Sequence, residues 1–159
     1  MARFPSTPEL DLLFKPRSVA VAGASTNVDS PVSLKAQRFT GPIYPINPRA
    51  DEVAGLKAYP RLADVPGEVD LVISCVPASA VLELVDHCGQ RGVKFLHLFT
   101  GRFSETGDEE AAELERQIAA NAALAGIRIL GPNGMGLYHP AGGLSSGRTC
   151  RWRRGMSHS

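Results

Sequence analysis

Cysteine is scarce in this chain, and Cys75, Cys88 and Cys150 lie far apart. That spacing excludes a disulfide framework and a cysteine-rich zinc site. The expected role is core packing, with Cys75 closing a strand and Cys88 on the apolar face of a helix. Long apolar runs are also missing, so no segment has the length of a membrane-spanning helix. The opening Met1-Ala-Arg-Phe-Pro5 has no apolar leader core, and a cytoplasmic location is the expectation. An excess of positive charge is confined to one end. The whole chain carries +1, but residues 148–159 hold Arg148, Arg151, Arg153 and Arg154 with no acid, leaving the rest at −3. A mildly acidic body argues against a broad nucleic-acid surface. Absent too are a Ser-His-Asp set, a metal-binding cluster and a pair of carboxylates placed for acid–base work. His87, His97, His139 and His158 read as structural or exposed, and no catalytic residue is expected.

What remains is an ordinary globular composition, 43% hydrophobic and 21% charged over 159 residues, enough for one domain with a sizeable core. Residues 1–13 read as a lead-in, with Leu10, Leu13 and Phe14 at helical spacing. Residues 14–146 form the domain, and residues 147–159 a basic tail expected to be poorly ordered. Strands are expected at 18–22, 43–46, 70–75, 94–98 and 127–130, with a short edge strand at 56–59. Ser30 and Pro31 suit the start of a first helix. Val81, Leu84, Val85 and Cys88 recur with the period of an amphipathic helix. Thr106 and Glu109 have capping-box spacing before a helix carrying Ala111, Leu114, Ile118 and Ala122. Strands alternating with helices across short Gly/Pro turns predict an α/β fold: a single-domain, Rossmann-like, doubly wound parallel sheet.

Right-handed crossovers bring the C-terminal ends of all such strands to one rim, where ligands of this fold class bind. The junctions gathered there hold Gly23 to Ser25, Asn47 to Arg49, Val76 and Pro77, Phe99 to Gly101, and Pro132 and Asn133. Gly23 permits a tight turn, and Ser25 offers a hydroxyl and an N–H where a phosphate would sit. A dinucleotide fingerprint is poorly matched: Ser25 and Val28 stand where its second and third glycines belong. The second strand ends in Asn47-Pro48-Arg49, without the acid that would bind a ribose 2′-hydroxyl. Arg49 instead suits a phosphorylated ribose, either the 2′-phosphate of NADP or the 3′-phosphate of coenzyme A.

Several motifs carry a resemblance: V-A-V-A-G-A-S, I-Y-P-I-N-P, G-E-V-D-L-V-I, C-V-P-A, T-G-R-F and L-G-P-N-G-M-G, in that order. Over roughly residues 12–146 the chain resembles the CoA-binding domain of NDP-forming acyl-CoA synthetases, the domain that also opens the succinyl-CoA synthetase α subunit. The resemblance implies coenzyme A or acyl-CoA as ligand. Gly23, Ala24, Ser25 and Thr26 would hold phosphate through backbone N–H groups and the Ser25 hydroxyl. Pro48 and Arg49 would flank the 3′-phosphoadenosine, and Val76 and Pro77 would pack on the nucleotide. Phe99, Thr100 and Gly101 would line the next stretch, and Asn133 would lie near the pantetheine and thiol.

Three departures qualify it. Gly134 stands where the family usually has cysteine. The segment between Ser25 and Gly41 is several residues short, which leaves the phosphate grip there open. The phosphohistidine and ATP-grasp parts of the synthetases do not match this chain, so an ATP-grasp subunit or domain would be a partner and the chain alone would be inactive. The alternatives are a stand-alone CoA-binding or CoA-sensing protein and, less favoured, an NADP-dependent oxidoreductase. The arginine-rich tail matches nothing in the family. It suits either an acidic contact or a shifted reading frame, which sequencing the gene would distinguish.

Overall fold

Four apolar residues between Pro16 and Gly23 form β1 (Val19–Ala22), and all four are buried. A computed structural model describes residues 7–25, 39–139 and 144–145 of the chain. Helix α1 (Thr7–Phe14) precedes β1. β2 (Ile43–Ile46), β5 (Leu71–Ser74), β6 (Phe95–Leu98) and β7 (Arg128–Leu130) join β1 in one sheet of order β2-β1-β5-β6-β7. Every pairing in it is parallel. β5 and β6 are buried throughout, as strands covered on both faces must be. One face is covered by α2 (Val81–Gln90) and α3 (Glu109–Leu124), which pack with Ala20, Val72, Leu96 and Leu98. The opposite face packs Val19, Val21, Ile73 and Phe95 against Leu13, Phe39, Leu137 and Leu144. The sheet order reverses between β1 and β5, the position at which ligands enter open α/β sheets.

Several local expectations shift. The anticipated edge strand at 56–59 is a small antiparallel hairpin, β3 (Glu52–Val53) with β4 (Leu56–Lys57). Tyr59 reaches the main sheet through a parallel bridge to Ile46. A second hairpin, β8 (Tyr138–His139) with β9 (Leu144–Ser145), follows the last parallel strand. The cap of α3 is Asp108 and not Thr106: its carboxylate accepts from the N–H groups of Glu110 and Ala111. Thr106 instead ends a 3-10 turn, Ser104–Thr106, which Gly107 closes in a left-handed conformation. Of the expected stripe on α1 only Leu13 is buried, while Leu10 and Phe14 are exposed. Cys88 is fully buried, as a core residue should be, whereas Cys75 is exposed because the strand ends at Ser74. The first expected helix, the basic tail, Cys150 and His158 lie outside the described residues.

At the end of the sheet away from the rim, Arg17 clamps Asp70. Its N–H, Nε and Nη2 donate to the Asp70 carboxylate at 2.7, 2.9 and 2.7 Å, tying the start of β1 to the start of β5. The Arg17 side-chain hydrogen bonds, outweighing burial, hold the Asp70 carboxyl below its ordinary value. A lowered folded value means the pair stabilises the fold above the unfolded carboxyl's pKa, about 4, and stops doing so as pH falls through the folded value. Asp70→Asn should therefore cost about 1–3 kcal/mol at neutral pH, the lower end if solvent screens the guanidinium. Urea unfolding of both proteins as a function of pH checks this. The gap between them should close below pH ~4.

Candidate functional site

The rim is a connected series of turns. Gly23 and Ala24 both donate their N–H groups to Ile46 O, at 3.1 and 3.3 Å, so the turn after β1 is tied to the end of β2. Asn47 Nδ2 donates to Ala24 O at 2.9 Å, and Asn47 Oδ1 accepts from Arg49 N–H at 2.8 Å. On the other side of the switch point, Cys75 N–H donates to Ala22 O. Gly23 has φ +73°, and a Cβ there would come within 3.0 Å of Cys75 C and Val76 N. Glycine is thus required twice, for the left-handed turn and for the close passage of two backbones. Thr100 Oγ1 donates to Val76 O at 2.6 Å, and Asn133 N–H donates to Thr100 O at 2.9 Å. From β2 to β7, each junction is bonded to the next.

The residues singled out in the sequence therefore share one edge of the molecule, apart from Thr26, which lies outside the described residues. Pro48, Arg49, Pro77, Ser25 and Asn133 are exposed, and Val76, Phe99, Thr100 and Gly101 are half-buried. The geometry reassigns two of them. The Gly23 and Ala24 N–H groups are committed to Ile46 O, so their contribution is the turn itself and not donors to a phosphate.

Three features escaped the sequence reading. Arg102 is exposed on the junction after β6, with φ +71°, a conformation rare for a side chain of its kind. Glu105 holds that turn: its carboxylate accepts from the N–H groups of Arg102 and Phe103. Backbone N–H bonds, its own first and then those of Arg102 and Phe103, keep its carboxyl below the ordinary range. His97 is only 2% exposed, its ring 4.6 Å from that of Phe99, and its Nδ1 has no hydrogen-bond partner. Burial pushes its pKa down to about 4, so the ring is neutral at pH 7. A Cβ at Gly134 would stand 2.6 Å from His97 Nε2. His97 and a side chain at position 134 exclude one another in this arrangement, which accounts physically for glycine in the Gly131-Pro-Asn-Gly134 turn.

An apolar hollow of about 290 Å³ lies between α3 and β7, lined by Phe103, Ile118, Ala122, Ile127 and Ile129 among others. No lysine or arginine lines it, and two of its lining residues, Gly131 and Pro132, belong to the junction after β7. Among the described residues no three His, Cys, Asp or Glu side chains gather as metal ligands, and no helix is long and apolar enough to cross a membrane.

Comparison with known proteins agrees with this geometry. The family model described as a CoA binding domain matches residues 17–140. The chain is 45% identical over 142 residues to an ADP-forming acetate–CoA ligase II from Archaeoglobus fulgidus, covering 86% of this chain and 21% of that protein. It is 39% identical over 144 residues to the α subunit of the ADP-forming acetate–CoA ligase II of Pyrococcus furiosus, covering 86% and 31%. The apo form of a Ca. Korarchaeum cryptofilum acetyl-coenzyme A synthetase 1 superposes with a TM-score of 0.80 at 43% identity, over 87% of this chain and 31% of that one. A hypothetical protein from Pyrococcus horikoshii, 22% identical with a TM-score of 0.62 over 85% of this chain and 94% of its own, shares the fold alone. The chain spans roughly a fifth to a third of the length of the ligases it matches. On the match over residues 17–140 and the linked rim it covers, this chain belongs to the CoA-binding domain family.

Proposed function

We propose that this domain holds coenzyme A along its rim so that the thiol can meet an acyl phosphate made by other parts of an acid–CoA ligase. The observation that carries the reading is the run of hydrogen bonds, Asn47 to Ala24, Gly23 to Ile46, Cys75 to Ala22, Thr100 to Val76 and Asn133 to Thr100, that ties the junctions into one continuous surface. Phosphohistidine and ATP-grasp chemistry would be supplied by another domain or a partner subunit, which fits a chain matching a fraction of its relatives. The proposed setting is the cytoplasm, in keeping with cysteines too scattered for a disulfide framework. Arg49 is exposed, with its N–H held by Asn47 and no ion pair to a described residue. Its guanidinium is therefore available for the 3′-phosphate.

Titration calorimetry with CoA, dephospho-CoA and NADPH tests the reading. CoA should bind, and dephospho-CoA should bind roughly tenfold more weakly, the size of one exposed charge-assisted contact. Arg49→Ala should bring the two affinities together. Binding of NADPH without CoA would favour the oxidoreductase instead. Co-purification with phosphohistidine and ATP-grasp polypeptides separates a ligase component from a stand-alone CoA sensor.

A further inference from the structure

Most of the described arginines have partners for their side chains. Arg17 and Arg61 pair with Asp70 and Asp64, and Arg116 pairs with Glu109 and Glu113. Arg91 donates to Val65 O and Gly67 O. Arg128 begins β7, at the end of the sheet away from the rim. Arg49 and Arg102 are left. Both are exposed on the rim, and neither guanidinium pairs with a carboxylate among the described residues.

Arg102 stands in a conformation that does not suit it. Its φ of +71° strains any residue with a Cβ and would be easy for glycine. The neighbouring glycine is one position earlier, at Gly101, where a Cβ would come within 3.1 Å of Glu105 Oε1. The surrounding turn enforces the strain. The Glu105 carboxylate accepts from the N–H groups of Arg102 and Phe103, and the Phe103 ring is fully buried. None of these contacts uses the Arg102 side chain. Strain of this kind, held in place by its neighbours, gathers at sites with a use for the residue.

Position selects the anion. Arg49 follows β2 and Arg102 follows β6, with β1 and β5 between them. Three strand spacings separate the two junctions by roughly 14 Å, a gap that two arginine side chains and a phosphorylated ribose can fill. Coenzyme A carries a 3′-phosphate and a diphosphate on one ribose. The turn after β1 lies within this gap, and its Gly23 and Ala24 N–H groups are bonded to Ile46 O. A diphosphate over the switch point therefore finds those two donors engaged, with Arg102 on the side away from Arg49.

We propose that Arg102 holds the diphosphate of the bound carrier, opposite Arg49 on the 3′-phosphate. The proposal rests on the CoA reading above and adds a second charged contact to it. A guanidinium suits a diphosphate, whose neighbouring oxygens can accept two of its N–H groups at once.

Calorimetry with no acyl phosphate present tests it. The ligands are CoA and dephospho-CoA, which share the diphosphate and differ in the 3′-phosphate. The proteins are wild type, Arg102→Gly, Arg102→Gln and Arg49→Ala. Both Arg102 variants should bind both ligands roughly tenfold more weakly, the size of one exposed charge-assisted contact. Arg49→Ala should weaken CoA alone. Urea unfolding gives a second readout: Arg102→Gly should be at least as stable as wild type, because glycine relieves the left-handed strain. A variant that folds no worse and binds more weakly has lost a ligand contact and not the turn. Wild-type affinity in both Arg102 variants would overturn the proposal while leaving the CoA reading intact. So would a loss seen with CoA and not with dephospho-CoA, which would put Arg102 on the 3′-phosphate. Failure of wild type to bind any of CoA, dephospho-CoA and adenosine 3′,5′-bisphosphate would instead overturn the CoA reading itself.

Discussion

Gly23→Ala should lose CoA affinity by at least about tenfold and should also unfold more easily, by about 2–4 kcal/mol. Two separate strains produce this. An alanine at φ +73° pays roughly 1–2 kcal/mol for the left-handed conformation. Its Cβ would also meet Cys75 C and Val76 N at 3.0 Å and Cys75 O at 3.1 Å. All three are backbone atoms at the end of a buried strand, so they cannot swing aside as a side-chain tip would. Relief requires the turn after β1 to move away from the junction after β5, at the point where the sheet order reverses. Ile46 O and Ala22 O would then lose their donors, and the two halves of the rim would part. Chemical denaturation gives the stability change and calorimetry with CoA the affinity. Loss of stability with undiminished binding would mean that the ligand does not span the switch point.

The sheet was legible because its strands have little other way to fold. Val19–Ala22 and residues 71–73 are uninterrupted apolar runs, and only a layer covered on both faces hides such runs. Helix α2 was legible by spacing, and Val81, Leu84, Val85 and Cys88 are indeed its buried residues. What failed depended on contacts distant in sequence or on the exact stop of an element. Thr106 and Glu109 satisfy a capping pattern, but a 3-10 turn ending in left-handed Gly107 intervenes and passes the cap to Asp108. Cys75 was expected in the core because it was read as closing the strand, whereas the last strand residue is Ser74. The rim itself could be anticipated from topology, because parallel strands must deliver their C-terminal turns to one edge. Which N–H groups remain for a ligand could not, since Ile46 O takes two of them through a bond between neighbouring strands' ends. The dependence of Gly134 on His97 was invisible for the same reason. Neither residue has a local signal, and only folding puts the imidazole where a Cβ would stand.

The largest loss of stability is expected from a residue beside the rim and not on it. Phe103→Ala should destabilise the domain by about 3–5 kcal/mol, measured by urea unfolding, the range for a fully buried aromatic cut back to a methyl. Phe103 is 0% exposed and belongs to the cluster with Leu98, Ile118, Ala122 and Ile127, so it fastens α3 to the last two strands. Its surroundings already contain the apolar hollow of about 290 Å³, and truncation would enlarge a space the neighbours have not closed, which favours the upper half of that range. The backbone at Phe103 matters for the rim as well. Its N–H donates to Glu105 Oε2 at 2.9 Å, and its carbonyl accepts from Thr106 N–H and Thr106 Oγ1. Those bonds hold the turn that starts at Thr100 and Gly101. Phe103→Leu refills most of the volume and should recover more than half of the lost stability. Thr100 joins Val76 to Asn133 through its own bonds, so CoA affinity should recover with stability in the leucine variant. If leucine restored stability but not binding, the aromatic ring would have a direct part in shaping the ligand surface, and the apolar hollow would have to be counted as part of the site.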